Sequence, residues 1–308
     1  MVRYKSFFLL RPLYNLYKLL TSNRYTIGFA EFDPNLLEPN NIPNVRWIDD
    51  KGHTTGWYAD PFILSVADDE IHVLVEEYLY KTQLGIISKI IVRRSDMKVI
   101  KVEPLIKTGS HLSFPAYFRR KGKVYIYPEQ GASGSLHVYE YDEKTGKIEK
   151  RWMLNPHDLV DTTICTLPDG EKVILTTSAP NYNGDILDIY SYYDEDCPMD
   201  LKPIRQIKLQ RKTARGAGLP FFYNGHLYRP AQDCTNVYGE GVEIQEITIE
   251  NEELKITPRN LIYSPSREWS GGFHTFNVFE NKLIVVDARK KRFPLWACIL
   301  SSIVKKCK

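Results

Sequence analysis

The feature that most constrains this chain is a hairpin written five times. Its second strand is apolar on each occasion: Ile71–Val75, Val124–Tyr127, Val173–Leu175, Leu227–Arg229 and Leu283–Val286. Successive starts lie roughly 50 to 56 residues apart, long enough for one four-stranded propeller blade. A turn signal precedes each strand: Asp68-Asp69, Lys121-Gly122, Asp169-Gly170, Asn224-Gly225 and Glu280-Asn281. Such pairs suit the left-handed backbone of tight hairpins. Alternating segments follow, as in Leu136–Tyr141, Leu187–Tyr192 and Val242–Ile249, and no long helical pattern interrupts them. The expectation is an all-β fold, a five-bladed β-propeller over residues 25–292 with short terminal helices. The period is too long for a β-helix, and a double sandwich would leave the repetition unexplained.

In a propeller the innermost strand of each blade begins near the central axis, so the leading ends converge on one funnel. Those ends carry Trp57 with Asp60, His111 to Phe114, Asp161 to Thr163, Arg215 to Gly218, and His274 to Asn277. Fold maintenance does not call for ionisable groups there, because buried charge is costly unless paired. Asp60 and Asp161 are read as acid/base or substrate-binding carboxylates, against a plain turn role for each. His111 and His274 suit proton carriers, metal ligands, donors to sugar hydroxyls or structural histidines alike. Arg215, followed by Gly216, suits bidentate capture of a phosphate or carboxylate, or an inter-blade ion pair.

The second hairpin strands end in polar groups as well: Glu76-Glu77, Glu129, Arg229 with Gln232-Asp233, and Asp287. Glu129 follows Tyr127-Pro128, where partial burial raises a carboxyl pKa, and it joins Asp60 and Asp161 as a catalytic candidate. Arg229, Gln232, Asp233 and Tyr238, in the least strand-like stretch of their blade, are expected to read a sugar or phosphate. Trp57, His111, Arg215, His274 and Asn277 complete the expected binding set. The spacing of the histidines and acids is not diagnostic of a metal, so none is assigned, and no cofactor is expected.

Composition narrows the partners. The chain of 308 residues carries 20 Tyr and 5 Trp, which suit strands and surfaces that stack on sugar rings. A net charge of +3 with no dense basic stripe outside the termini argues against nucleic acid. Five scattered cysteines without a paired spacing favour a reducing, cytoplasmic setting. Residues 1–24 read as a basic amphipathic helix through Leu9, Leu13, Leu16, Tyr17 and Leu20. Residues 293–308 read as a second amphipathic tail closed by Lys305, Lys306 and Lys308. Either packs on the body or docks on an anionic membrane face. No signal peptide and no bilayer-spanning stretch is expected.

Several spaced motifs together resemble one family. They are Trp57-Tyr58-Ala59-Asp60-Pro61-Phe62, His111-Leu112-Ser113-Phe114-Pro115, Tyr127-Pro128-Glu129, Arg215-Gly216-Ala217-Gly218, Tyr228-Arg229-Pro230-Ala231-Gln232-Asp233 and His274-Thr275-Phe276-Asn277. They look like the propeller domain at the N-terminus of plant glucosamine inositolphosphorylceramide transferases. That resemblance implies a five-bladed propeller tied to glycolipid or surface-polysaccharide synthesis. In the plant proteins the sugar transfer is assigned to a separate domain. More distantly, Ala59-Asp60-Pro61 is similar to the first blade of family-43 and family-32 glycoside hydrolases, where that Asp is the base or the nucleophile. Here their second-blade Asp is replaced by the His111–Phe114 stretch, Asp161 sits where their acid is expected, and no Glu-Gly-Pro motif occurs.

Three functions follow as expectations. The first is a carbohydrate-active enzyme, of glycosyl-transfer type, acting on a glycan, sugar-phosphate or glycolipid, with a partner glycosyltransferase. The second is a non-catalytic glycan- or headgroup-binding module. The third is a family-43-like hydrolase.

Overall fold

The computed structural model describes residues 20–50, 52–192, 202–293 and 295–296. Most of both terminal segments expected to be amphipathic therefore lies outside the described residues. The first strands are β1 (Asn23–Glu31) and β2 (Arg46–Trp47). Blade one holds β3 (Gly56–Ala67), β4 (Glu70–Leu79), β5 (Leu84–Arg93) and β6 (Lys98–Ile106). Blade two holds β7 (Ser113–Arg120), β8 (Lys123–Glu129), β9 (Leu136–Asp142) and β10 (Lys147–Asn155). Blade three holds β11 (Leu159–Thr166), β12 (Lys172–Ser178), β13 (Ile186–Ser191) and β14 (Arg205–Lys208). Blade four holds β15 (Phe221–Tyr223), β16 (His226–Asp233), β17 (Gly241–Glu250) and β18 (Glu253–Tyr263). The last two strands are β19 (Phe276–Phe279) and β20 (Leu283–Lys291).

Each blade is a four-stranded antiparallel meander, and the five make the expected propeller. The fifth blade is assembled from both ends of the chain in the order β19-β20-β1-β2. Strand β1 pairs with β20 from Asn23↔Lys291 to Glu31↔Leu283, so the first strand of the sequence locks the ring. It begins at Asn23, just inside the stretch that reads as helix.

The hairpin turns behave as their residues dictate. Asp68, Lys121, Gly122, Gly170, Asn224, Gly225, Glu280 and Asn281 all take positive φ, the twist that two-residue hairpins require. Alternate strand residues face neighbouring blades, and the core lies between sheets. Phe62 and Phe114, for example, meet edge to face at 5.0 Å across blades one and two. Polar staples join blades too: Asn277 donates to Pro61 O at 2.8 Å and accepts from the Leu219 N–H at 2.8 Å.

One irregularity recurs where it matters. In β3, β7 and β11 the pairing with the next strand skips two residues, at Ala59/Phe62, Ser113/Ala116 and Val160/Thr163. The first residue skipped is left-handed each time: Asp60 at φ 47°, Phe114 at 44° and Asp161 at 45°. Such a bulge re-aims a side chain out of the sheet alternation, and non-glycine residues held left-handed concentrate at functional sites. No helix among the described residues is long and apolar enough to cross a membrane.

Candidate functional site

The bulged ends of the inner strands open into a cavity of about 610 Å³ that includes Asp60, Glu76, His111, Glu129, Arg215, Tyr238 and His274 in its lining. Asp60 is held on three sides. Its Oδ2 accepts from the Phe114 N–H at 3.0 Å, its Oδ1 accepts from the Thr275 hydroxyl at 2.9 Å, and its own N–H donates to Asp287 Oδ2 at 3.1 Å. Asp287, fully buried, also accepts from the backbone N–H groups of His274 and Thr275. The His274 Nδ1 lies 2.7 Å from Asp287 and 3.7 Å from Asp60.

Burial pushes the Asp60 carboxyl up to about 6; His274 opposes this, while Asp287 and Asp161 reinforce it. For His274 burial pulls downward most strongly, but the charge and hydrogen bond of Asp287 together with the charge of Asp60 outweigh it, and the imidazole is held above its usual range. Asp60, His274 and Asp287 present ligand atoms within 4.8 Å of one another, enough in number for a cation. Every carboxylate oxygen among them already accepts a hydrogen bond, so the cluster is complete as a proton-sharing network.

A second cluster lies across the axis. Arg215 donates through Nε to Asp161 Oδ2 at 2.5 Å, through Nη2 to Glu129 Oε2 at 3.2 Å, and through Nη1 to Asn183 Oδ1 at 2.9 Å. Its guanidinium sits 4.9 Å from the Tyr238 ring centre. Asp161 takes a further donor from Gln232 Nε2 at 2.6 Å. Gly216 makes this approach feasible, since a Cβ there would stand 2.5 Å from the Asp161 carbonyl oxygen. Burial raises the Glu129 carboxyl well above the usual range, Asp161 adds to the rise, and Arg215 offsets part of it. Arg215 lies closer to Asp161, at 2.5 Å, than to Glu129, at 3.2 Å, and so offsets only part of the rise at Glu129.

Aromatic rings form the remaining wall. Trp57 stacks on Tyr78 at 4.6 Å and 5°, Tyr25 leans on Trp57 at 4.7 Å, and Tyr25 stacks on His274 at 4.9 Å. Beside them the His111 Nδ1 accepts from the Gly85 N–H at 2.8 Å, which leaves the ring proton of neutral His111 on Nε2. That nitrogen lies 3.2 Å from Glu76 Oε1, close but misaligned, so the buried oxygen lacks a directed hydrogen bond. Burial raises the Glu76 carboxyl well above its usual range, with Asp60 and Glu129 adding to it, and lowers His111.

Of the residues picked from sequence, Trp57, Asp60, His111, Glu129, Arg215, Tyr238 and His274 line one cavity. Asp161 and Gln232 lie just beneath it, 2 % and 1 % exposed. Three expected ligands sit elsewhere. Arg229 is buried within blade four, donating to Gln245 at 2.7 Å and to the carbonyls of Thr213 and Ala214, so it neutralises backbone rather than a substrate. Asp233 is fully buried, paired with Arg211 at 2.5 Å and capping Thr235. Asn277 is the inter-blade staple described above. Glu76, Tyr25, Tyr78, Tyr80 and Arg292 belong to the cavity without having been singled out as ligands. For Glu76 the signal was present, a carboxylate ending an apolar strand. For Tyr25 and Arg292 it was absent, because their place depends on how the ring closes.

The fold and this cavity define a class: a five-bladed propeller with an acidic, aromatic-walled axial pocket. Within that class the chain belongs to the family described as glucosamine inositolphosphorylceramide transferase 1, N-terminal, whose model matches residues 39–267. The protein named glucosamine inositolphosphorylceramide transferase 1 from Arabidopsis thaliana is 30% identical over 213 residues, 66% of this chain and 27% of the plant protein. Its namesake from Oryza sativa subsp. japonica is 26% identical over 237 residues, 71% of this chain and 31% of its own length. The chain thus spans less than a third of these relatives. Among solved structures, the RS223 β-xylosidase superposes with a TM-score of 0.52 at 12% identity, covering 75% of this chain and 92% of that one. An exo-β-1,3-galactanase from Phanerochaete chrysosporium gives a TM-score of 0.52 at 11% identity, covering 82% and 57%. Those likenesses establish the shared fold.

Proposed function

We propose that the axial pocket binds a sugar and that this chain acts in building or modifying a cell-surface polysaccharide or glycolipid. One observation carries the reading: an aromatic wall and carboxyl groups of unlike protonation share a single cavity. Environments that push neighbouring carboxyls apart in pKa assign acid and base roles. Asp60, pushed up to about 6, serves as the base at neutral pH, and Glu129, whose carboxyl burial holds well above the usual range, serves as the donor. Asp161 positions Arg215 between them. Tyr78 and Tyr80 offer faces for a sugar ring. The names of the curated relatives, which specify transfer onto a phosphoryl-lipid, support the glycolipid setting.

The second reading is a glycan-binding module that presents a substrate to a partner glycosyltransferase. It is favoured by the contacts of Arg215 with both Asp161 and Glu129, which tie these side chains into the scaffold. A hydrolase is disfavoured, because Phe114 holds the second-blade bulge where a third carboxylate would stand. In cells, Asp60→Asn and Glu129→Gln are each expected to lower the glycan product at least tenfold without loss of the protein. An unchanged product together with retained sugar binding by the purified variants would move the assignment to the binding module. Release of sugar from xyloside or arabinoside substrates would restore the hydrolase.

We further propose that the protein sits peripherally on the inner face of a membrane. The chain leaves the propeller at two adjacent points, where the Arg292 N–H donates to Ser22 O at 2.9 Å, and both residues line the cavity. The basic, leucine-bearing stretches lie immediately beyond them in sequence. Flotation with anionic vesicles is expected to recover the full chain, and removal of residues 1–19 and 297–308 to abolish recovery. Full-chain protein left at the bottom of the gradient would refute the attachment.

A further inference from the structure

The guanidinium groups around this cavity are not equivalent. Arg215 is engaged by two carboxylates. Arg289 donates to the carbonyls of Gly271 and Tyr238 at 2.6 Å each, and to the Tyr25 hydroxyl at 3.5 Å. Arg292 differs from both. It lines the cavity and stacks its guanidinium 3.9 Å from the Tyr80 ring centre and 5.3 Å from that of Phe293. No carboxylate or carbonyl among the described residues accepts from its side chain. A guanidinium stacked on a ring keeps its N–H edge turned outward, in the fork geometry that matches an oxyanion.

Charge is graded along the cavity. Its depth is lined by Asp60, Glu76 and Glu129, with Asp161 and Asp287 buried behind them, against Arg215 and His274. Carboxyl groups outnumber cations at that end, which suits neutral hydroxyls better than a further anion. At the mouth, where the chain leaves the propeller, Arg292 stands half-buried and without a counter-charge among the described residues. A neutral sugar ring fits the carboxyl-lined depth, whose groups accept from hydroxyls, and a negative group fits the mouth.

We propose that Arg292 is the anchor for an anionic sugar, binding the oxyanion of a phosphate ester or uronate at the cavity mouth while the ring points inward. This rests on the reading of the cavity as a sugar site. It sets the orientation of the ligand and shifts the expected phosphate contact from Arg215 and Arg229 to a residue beyond the repeats.

The test is calorimetric binding to the full chain at low salt. The probes are glucose, galactose, N-acetylglucosamine and myo-inositol, each free and as its monophosphate, together with glucuronate. Wild type is expected to bind at least one phosphate at least tenfold tighter than its free sugar, about 1.4 kcal/mol. That preference should vanish in Arg292→Ala, weaken in Arg292→Lys, which keeps the charge but loses the fork, and shrink as salt rises. Tighter binding of glucuronate than glucose with no phosphate preference would identify the uronate as the source. Equal binding of free and anionic sugars, or a preference that survives in a folded Arg292→Ala, overturns the proposal and leaves the sugar site standing. Binding of none of the nine overturns both.

Discussion

Replacing Arg215 by Met is expected to lower the stability of the fold by about 3–5 kcal/mol, the usual cost of stranding a buried charge by removing its partner. The side chains of Arg215 and Asp161 are only 12% and 3% exposed, so water cannot substitute for the lost contact. Methionine replaces most of the stem volume, which confines the effect to electrostatics and hydrogen bonding. Asp161 would retain only Gln232, and Glu129 would lose its one cationic neighbour. In a cycle with Asp161→Asn, the double variant should be more stable than the sum of the single losses by about 1–3 kcal/mol. Denaturant melts of the four proteins measure this. A cost below about 1 kcal/mol for Arg215→Met would mean that the guanidinium is not holding the axis together and is available to a ligand.

The second large effect concerns Asp60 and pH. Its carboxyl titrates at about 6 in the folded chain, against 3.8 for the ordinary group. A carboxyl raised on folding binds its proton more tightly in the native state. Its contribution is therefore fully present below about pH 4 and is lost as pH rises through about 6. A shift of this size corresponds to about 3 kcal/mol. Asn suits the same place, its oxygen accepting from the Phe114 N–H and its amide donating to the Thr275 hydroxyl. Asp60→Asn should thus gain on the wild type by up to about 3 kcal/mol between pH 4 and pH 7. The Asp60 charge contributes to the upward shifts of Glu76, Glu129 and His274, so the difference between the two curves reads Asp60 together with its effect on these neighbours. Parallel curves across that range would show that Asp60 is solvated and ionised throughout.

Much of the fold was legible because it is repeated. Five apolar strands, each behind a turn that accepts positive φ, specify both the blade and the number of blades. What the sequence could not show is that β1, Asn23–Glu31, is the third strand of the last blade. Strand propensity is local, and the partner of β1 lies at the other end of the chain. The site divides on similar grounds. Asp60, His111, Arg215 and His274 could be expected to share one cavity because they lead their blades, and they do line one. Arg229 and Asp233 were misread because a polar residue in a loop-like stretch looks like a ligand. In the structure they balance the carbonyls of residues 213–214 and the Arg211 side chain. The left-handed bulges had no readable signal at all, and at Phe114 an aromatic side chain argues against one.

The closure of the ring by β1 and β20 has a consequence for how the molecule comes into being. Asn23 meets Lys291 only after every intervening blade has been synthesised. Bringing such distant segments together costs about 5 kcal/mol of chain entropy. Contacts of that sequence separation also slow folding. On the ribosome, blades one to four have all their strands before the fifth, which already has β1 and β2, gains β19 and β20. Until then the backbone edge of β1 that β20 will pair stays open, a sticky edge, even though Ile27 and Phe29 on its face can already pack on blade one. The last event in folding is then the same event that builds the aromatic side of the pocket, since Tyr25 rides on that strand. A chain interrupted before β20 would hold most of the carboxyl groups and no finished place to put a sugar.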